Sequence, residues 1–396
     1  MNHPIQCQGF QAAGVAAGIK KKAGLLDLGL IYSQVPATVA GMFTRNRVMA
    51  APVVLTKARA TKGSARAIVA NAGCANCCTG PQGMVHARSM GAGVAAELKL
   101  DEEQVLLAST GTIGLTLPID KVRAATPALV RQLRPDGFED FAQAIMTTDT
   151  VPKLVQRQAT LDGHAFTVLA VAKGAGMIRP DMATMFCFIC TDVAASAESL
   201  GSMLRASVDR SLNRITIDGD TSTNDTVLIM ANGLSAAVVQ NADQQRIFQG
   251  VLDDLLLEIA RRLVKDGEGV TKVVEIKVQG APSEAAALRV ADTVAHSPLV
   301  KTAFFGEDAN WGRIMGAAGR AGVDFDSERL DIFFDDVQMV QAGQGCGADR
   351  EAQVTAVMRR PEFAVTIDLH AGRGTAAILT CDFSVDYVRI NADYRS

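Results

Sequence analysis

At 396 residues, with 48% hydrophobic and 20% charged side chains, the chain is long enough for more than one core and has a globular composition. Its 39 basic and 42 acidic residues leave a net charge of −3, which offers no basic surface to nucleic acid or anionic lipid. The first residues, Met-Asn-His-Pro-Ile-Gln, lack the basic and apolar regions of a signal peptide, and no run approaches about 18 apolar residues. A cytoplasmic protein with no membrane or nucleic-acid partner is expected.

From Gln11 to Pro36 the chain is rich in Ala and Gly and reads as a hairpin-like entry. Val53 to Lys57 and Ala67 to Ala72 read as strands. The second runs into Asn71-Ala72-Gly73-Cys74-Ala75-Asn76-Cys77-Cys78, a small-residue loop that lets backbone approach a ligand. A helix follows from about His86 to Leu98. Gln104 to Ala108 is a short buried strand that breaks into Ser109-Thr110-Gly111-Thr112-Ile113-Gly114. A hydroxyl followed by glycine at a strand end can aim an O–H and a backbone N–H at one point, as a developing oxyanion requires; an ordinary turn fits the same residues.

A helix from about Phe138 to Met146 ends in Thr147-Thr148-Asp149-Thr150, a polar loop, and His164 stands at a hairpin turn before the strand Ala165 to Ala172. Lys173 closes that strand. The stretch from Lys173 to Met185 is then the hardest part of the chain to explain as packing. Gly174 and Gly176 relax the backbone, Pro180 stops regular structure, and Ala183-Thr184 puts a small residue before a hydroxyl at the mouth of the strand Phe186 to Asp192. A threonine hydroxyl needs a base to act as a nucleophile. Its own α-amine, with a pKa of about 7.7–8.0, serves if the chain is cut before it. Self-cleavage between Ala183 and Thr184 would make Thr184 an N-terminal nucleophile; otherwise the segment is a Gly/Pro turn feeding a buried strand.

The eight cysteines are too sparse for a disulfide framework. Of the two Cys-x-x-Cys spacings, Cys187 and Cys190 lie in the strand-like run, where residues three apart face opposite ways. Buried reduced thiols are expected there, and no metal. Beyond the strand, Leu200, Met203, Leu204, Val208 and Leu212 recur at helical spacing. Thr216 to Thr226 follows as a loop dense in oxygen. It lacks the glutamate of a calcium loop and reads better as a hydrogen-bonded wall of a site. Asp243 to Lys265 is a long amphipathic helix that ends at Asp266-Gly267-Glu268-Gly269.

After the strand Lys272 to Gln279, the turn Gly280-Ala281-Pro282-Ser283 divides the chain into residues 1–280 and 281–396. Ser297-Pro298 and Asn310-Trp311 open helices. Strands Leu330 to Phe334, Phe363 to Leu369 and Thr375 to Cys381 complete a second sheet, with His370 beside it as a structural residue. Two of the three tyrosines, Tyr387 and Tyr394, suggest a pinned tail ending at Ser396.

Gly176-Met177-Ile178, Pro180 and Met182-Ala183-Thr184-Met185 resemble the processing site of the ornithine acetyltransferase family, the self-cleaving glutamate N-acetyltransferases of arginine biosynthesis. Asp181 stands where that pattern carries Asn. Ser109-Thr110-Gly111, the Thr147 tetrad, Thr216 to Thr226, Asp266-Gly267-Glu268-Gly269 and Phe305 to Arg313 resemble the family in the same order, from about Gly14 to Ser396.

The resemblance implies an α/β fold of two stacked sheets flanked by helices, with a smaller C-terminal α/β domain. It implies transfer of the acetyl group of N2-acetylornithine to glutamate through an acetyl-threonine intermediate on Thr184. Thr110 and Gly111 would form the oxyanion hole, and Thr147, Lys173, Glu268, Asn391 and Ser396 would contact substrate. No cofactor is implied, although acetyl-CoA would serve as a second donor in a bifunctional member. Two cleaved protomers would assemble as a heterotetramer. The alternative enzyme reading keeps the nucleophile and gives the acyl group to water, as an N-terminal-nucleophile aminopeptidase or amidase.

Overall fold

The computed structural model describes residues 5–179 and 185–393. Ala183, Thr184 and Ser396, three of the expected cleavage and site residues, lie outside them. The described chain is mixed α/β, with sheets flanked by helices, and it divides into two compact units.

The larger unit contains β1 (Phe10–Val15), β2 (Leu28–Phe43), α1 (Ala51–Ala60), β3 (Ser64–Cys74), α2 (Gly80–Leu98), β4 (Val105–Thr112), α3 (Ile119–Arg131), α4 (Phe138–Ile145), β5 (Lys153–Leu161), β6 (His164–Lys173), β7 (Phe186–Thr191), β8 (Ala194–Ala195), α5 (Ala197–Arg210), β9 (Thr226–Ala231), β10 (Val238–Val239) and most of α6 (Ala242–Lys265). Its main sheet runs β4-β3-β2-β9-β7-β6-β5. The 16-residue β2 is long enough to serve twice on one edge: Leu28–Ser33 pair with β1 and Thr38–Phe43 pair with β9. The expected entry hairpin is therefore present as β1 and β2.

The Gly-rich entry has a packing consequence that composition did not suggest. Gly14 and Gly29 face each other across the β1–β2 ladder, and α4 lies on that seat. A methyl on Gly14 would meet the Asp140 carbonyl oxygen at 2.3 Å, and one on Gly29 would meet the Phe141 ring at 2.7 Å. The helix can then bury Phe138, Phe141, Ala142 and Ile145, spaced i, i+3, i+4 and i+7, against the sheet. Phe141 meets Phe188 edge-on with centroids 5.8 Å apart. Each buried phenylalanine contributes about 1.5–3 kcal/mol of transfer free energy.

Two local expectations need correction. Val53 to Lys57 is not a strand but part of α1. Pro52 sits in its first turn, and buried Val53, Thr56, Arg59 and Ala60 recur at helical spacing. Thr56 Oγ1 both donates to the Leu107 carbonyl (2.7 Å) and accepts from its N–H (2.7 Å), so the helix is fastened to β4. Tertiary bonding outweighs the strand preference of Val-Val-Leu-Thr. The helix α2 begins at Gly80 rather than His86, with Pro81 in its first turn.

The smaller unit comprises residues 214–219 and 264–395, with β11 (Val273–Ala281), α7 (Glu284–Ala295), α8 (Pro298–Phe305), α9 (Trp311–Gly319), β12 (Asp331–Phe334), β13 (Val337–Gln341), β14 (Gln344–Gly345), α10 (Ala348–Met358), β15 (Glu362–Asp368), β16 (Gly374–Cys381) and α11 (Val385–Asp393). Its sheet runs β14-β13-β12-β15-β11-β16. The chain divides after Leu263, not at the turn around Gly280, because β11 pairs with β15 and β16 and so belongs to the second sheet.

Lys301, buried beside that sheet, donates to Thr380 Oγ1 at 2.9 Å and to the Cys381 carbonyl. The tail is helical up to Asp393, with Tyr387 stacked on Phe383 at 4.8 Å. No helix among the described residues is long and apolar enough to cross a membrane.

Candidate active site

The sheet of the larger unit brings four chain segments to one place. In the parallel β3–β4 ladder, Ala72 is opposite Thr110 and Gly73 opposite Gly111. Lys173 ends β6 opposite Phe186 at the start of β7, and Phe186 is in turn opposite Thr226 at the start of β9. The two ends are joined by a side-chain bond: Lys173 Nζ donates to Thr110 Oγ1 at 3.2 Å, across 63 residues of sequence. Both side chains are buried. With Oγ1 accepting from the ammonium, the threonine hydroxyl proton is left to point elsewhere.

Gly111 has φ +126°, a conformation that L side chains rarely adopt. A Cβ there would lie 2.4 Å from the Gly73 carbonyl carbon and 2.6 Å from Cys74 N. The Thr-Gly pair read from the sequence is thus a strand end at which two backbones approach too closely for any side chain on one of them.

Asp149 lies beneath Lys173, in the loop after α4. Its side chain is fully buried, as is that of Lys153. Oδ1 accepts from Lys153 Nζ at 2.7 Å and from Gly174 N–H at 2.6 Å, and Oδ2 accepts from Thr147 N–H at 3.0 Å. Burial alone would raise the pKa of this carboxyl. The charges of Lys173 and Lys153, with the bonds from Lys153 and Thr147, outweigh it and bring the pKa down to about 2. Lys20 is also within electrostatic reach; burial lowers its pKa, and Asp27, Asp149 and Lys173 act on it as charges.

The oxygen-rich loop supplies the expected wall with residues 222–226. Asn224 Nδ2 donates to the carbonyls of Ala75 (2.7 Å) and Ser109 (2.6 Å), locking the wall to the loop after β3 and to β4. Asp225 Oδ1 accepts from Met185 N–H at 3.1 Å, next to the expected nucleophile in sequence. Its Oδ2 is buried without a hydrogen-bond partner among the described residues. Burial pushes this carboxyl well above the usual carboxylate range, despite the opposing effects of the Met185 N–H and of Lys173.

Of the residues predicted from sequence, Thr110, Gly111 and Lys173 come together, and Thr147 joins them through Asp149. Thr147 is half-buried, as is Thr148. In the smaller unit, buried Glu268 accepts from Asn391 Nδ2 at 2.8 Å, which pairs two of the expected substrate contacts. Asp149, Lys153, Asn224 and Asp225 were not singled out, although each stands inside or beside a motif that was.

Cys187 and Cys190 lie in a strand as expected, while Cys74, read from the sequence as part of a loop, is the last residue of β3. Cys187 and Cys190 are buried in β7, and burial alone raises the Cys187 thiol to about 12. Cys74 Sγ is 3.2 Å from the Leu115 carbonyl oxygen. Among the described residues no cluster of His, Cys, Asp and Glu has the arrangement of a metal site. His164 is exposed at the β5–β6 turn, while His370 lies on the surface of the smaller unit, 2.9 Å from Asp331 Oδ2.

Residues 11–396 match the ArgJ family. The arginine biosynthesis bifunctional protein ArgJ of Geobacter sulfurreducens is 50% identical over 99% of this chain and 100% of its own length. That of Desulfotalea psychrophila is 48% identical over the same shares. The crystal structure of the protein of that name from Bacillus halodurans is 37% identical over 53% of this chain and 98% of its own, with a TM-score of 0.49.

Proposed function

The chain belongs to the ArgJ family, and on that premise we propose that it is a glutamate N-acetyltransferase, moving the acetyl group of N2-acetylornithine to glutamate. The observation that carries the reading at the level of residues is the bond between Lys173 Nζ and Thr110 Oγ1. It joins a predicted oxyanion donor to a predicted substrate-binding cation.

In this reading the chain cuts itself between Ala183 and Thr184. The freed α-amine takes the hydroxyl proton of Thr184 as Oγ attacks the acetyl carbonyl carbon. Thr110 O–H and Gly111 N–H donate to the oxyanion. The carbon–nitrogen bond of acetylornithine then breaks, and the proton passes from the amine to the leaving ornithine nitrogen. The α-amine of glutamate attacks the threonine ester, giving acetylglutamate and restoring the hydroxyl.

Lys173, bonded to Thr110, suits a substrate carboxylate. Acetyl-CoA is proposed as a second donor, in line with the bifunctional relatives. Two cleaved protomers are proposed to assemble, in the cytoplasm.

Intact-mass spectrometry should show two fragments that divide after residue 183. Acetylornithine should be consumed only when glutamate is present. Consumption without glutamate would transfer the reading to an aminopeptidase or amidase, and an active, unbroken chain would remove Thr184 as an N-terminal nucleophile. Removing one oxyanion donor costs about 2.7–4 kcal/mol in the transition state, so Thr110→Ala should lower kcat roughly 100- to 1,000-fold. A Thr110→Ala variant with parental turnover would defeat that assignment.

A further inference from the structure

The Asp149 side chain is fully buried and bonded through both oxygens. Its bonds reach three separate pieces of chain: the 147–149 loop, Lys153 at the start of β5, and Gly174 just past the end of β6. The last matters most. Lys173 must leave β6 with its ammonium on Thr110, and the residue that follows, Gly174, adopts φ +151° with its N–H held by Asp149 Oδ1. A strand end can fray or twist, whereas one clamped by a charge-assisted bond keeps a single direction.

We propose that Asp149 is a positioning residue for the Lys173–Thr110 pair: it fixes the backbone after Lys173 and faces its charge, so that Lys173 Nζ stays on Thr110 Oγ1 and the Thr110 hydroxyl proton stays directed at the reacting oxygen. This rests on the acetyl-transfer reading above. The competing role is structural, with Asp149 present only to neutralise buried Lys153. The geometry speaks against that alone, since a carboxylate serving Lys153 would have no need of Gly174 N–H or Thr147 N–H, and the charge of Lys173 acts on it as well as that of Lys153. The ionisable groups facing Asp149 from the surrounding elements are Lys153 on β5, Lys173 on β6 and Lys20 between β1 and β2, with Asp225 beyond Lys173.

The test uses the full chain, with self-cleavage checked by intact mass and acetyl transfer from acetylornithine to glutamate as the assay. Asp149→Asn should lower kcat about 100-fold, the scale of a roughly 1 Å misplacement at a reacting group. Asp149→Asn with Lys153→Met removes both members of the buried pair and should regain the parental thermal midpoint without regaining kcat. In a Thr110→Ala background, Asp149→Asn should lower kcat by less than about threefold further, because the group it positions is already gone.

Parental kcat in the charge-free double variant would overturn the proposal in favour of simple neutralisation of Lys153. A full further 100-fold loss in the Thr110→Ala background would overturn it too, as would failure of both Asp149 variants to fold. A parent protein that is cleaved but does not transfer acetyl groups would instead refute the functional reading beneath it.

Discussion

Gly111→Ala is the substitution whose consequence can be worked most directly from the structure. The new methyl would stand 2.4 Å from the Gly73 carbonyl carbon, 2.6 Å from Cys74 N and 2.7 Å from Gly73 Cα. All three are backbone atoms of β3, so no side chain can swing aside. Ordinary contact begins near 3.4 Å, and β4 must therefore move by about 1 Å from a partner to which it is hydrogen-bonded. Overpacking of this kind costs about 1–3 kcal/mol. Holding alanine at φ +126° costs about 1–3 kcal/mol more.

The sum, about 2–6 kcal/mol, should lower the thermal midpoint of the larger unit by about 4–24 °C. Because the same shift moves Gly111 N–H out of line with Thr110, kcat should fall about 100-fold in what remains folded. Gly114→Ala is the control, for Gly114 also has positive φ (+81°) but nothing within 4 Å of its added Cβ. It should show the backbone contribution alone, about 1–2 kcal/mol. Differential scanning calorimetry of the two variants decides the matter. If Gly111→Ala melts no lower than Gly114→Ala, the close approach of β3 and β4 is not what fixes this residue as glycine.

Asp149, ionised down to a pKa of about 2 in the folded chain against about 3.9 unfolded, contributes about 2–3 kcal/mol above pH 5, lost as the pH falls through 4 to 2. The acid limb of the parent's stability curve should be steeper by that amount than in Asp149→Asn, as followed by urea unfolding at each pH. Asp225 has the opposite sign: its raised pKa keeps the proton in the folded chain while the unfolded chain releases it, so it weakens stability as the pH rises above the ordinary carboxylate range. Asp225→Asn, neutral and nearly isosteric, should remove that slope and shift stability at pH 7 by no worse than about 1 kcal/mol. A loss above about 3 kcal/mol would show the carboxyl to be charged. Lys301→Met should destabilise the smaller unit by about 1–3 kcal/mol, since it strips the ammonium from Thr380 Oγ1 and the Cys381 carbonyl. Unfolding monitored by Trp311, which lies in that unit, reads it directly.

Where a segment carries one strong period, its element could be read from sequence. The helices α5 and α6 were visible because apolar residues recur every three to four positions. Strands β6 and β7 were visible because short apolar runs are bounded by Asp162-Gly163, the Gly/Pro segment and Asp192. The helix α1 failed that test because its identity is set by a partner: Thr56 exchanges two hydrogen bonds with Leu107, fifty-one residues away. The Gly14–Gly29 seat was likewise invisible, since a glycine that makes room for a helix looks the same in sequence as one that makes a turn. The division of the chain was misplaced for a related reason. The turn at Gly280 is real, but the strand before it is claimed by β15 and β16 from later in the chain.

At the site, the sequence exposed residues whose chemistry shows in their type and setting, such as a hydroxyl before glycine or a lysine closing an apolar strand. It could not rank the carboxylates. Asp149 follows Thr-Thr and Asp225 follows Thr-Asn, each in a short polar run between apolar elements, and nothing local separates them. Their environments do. Asp149 is reached by two N–H groups and an ammonium, while a second lysine stands within range, so burial is outweighed and the charge is kept. Asp225 is equally sealed from water, but among the described residues its carboxylate receives a single N–H, so burial wins and the proton stays. The sign of each shift depends on whether partners from distant strands outweigh burial: Lys173 and Lys153 do so at Asp149, and Lys173 does not at Asp225. Lys173, expected from the sequence to contact substrate and to act on a nearby amine, thus also acts on both carboxyls, in the direction that lowers the pKa of each.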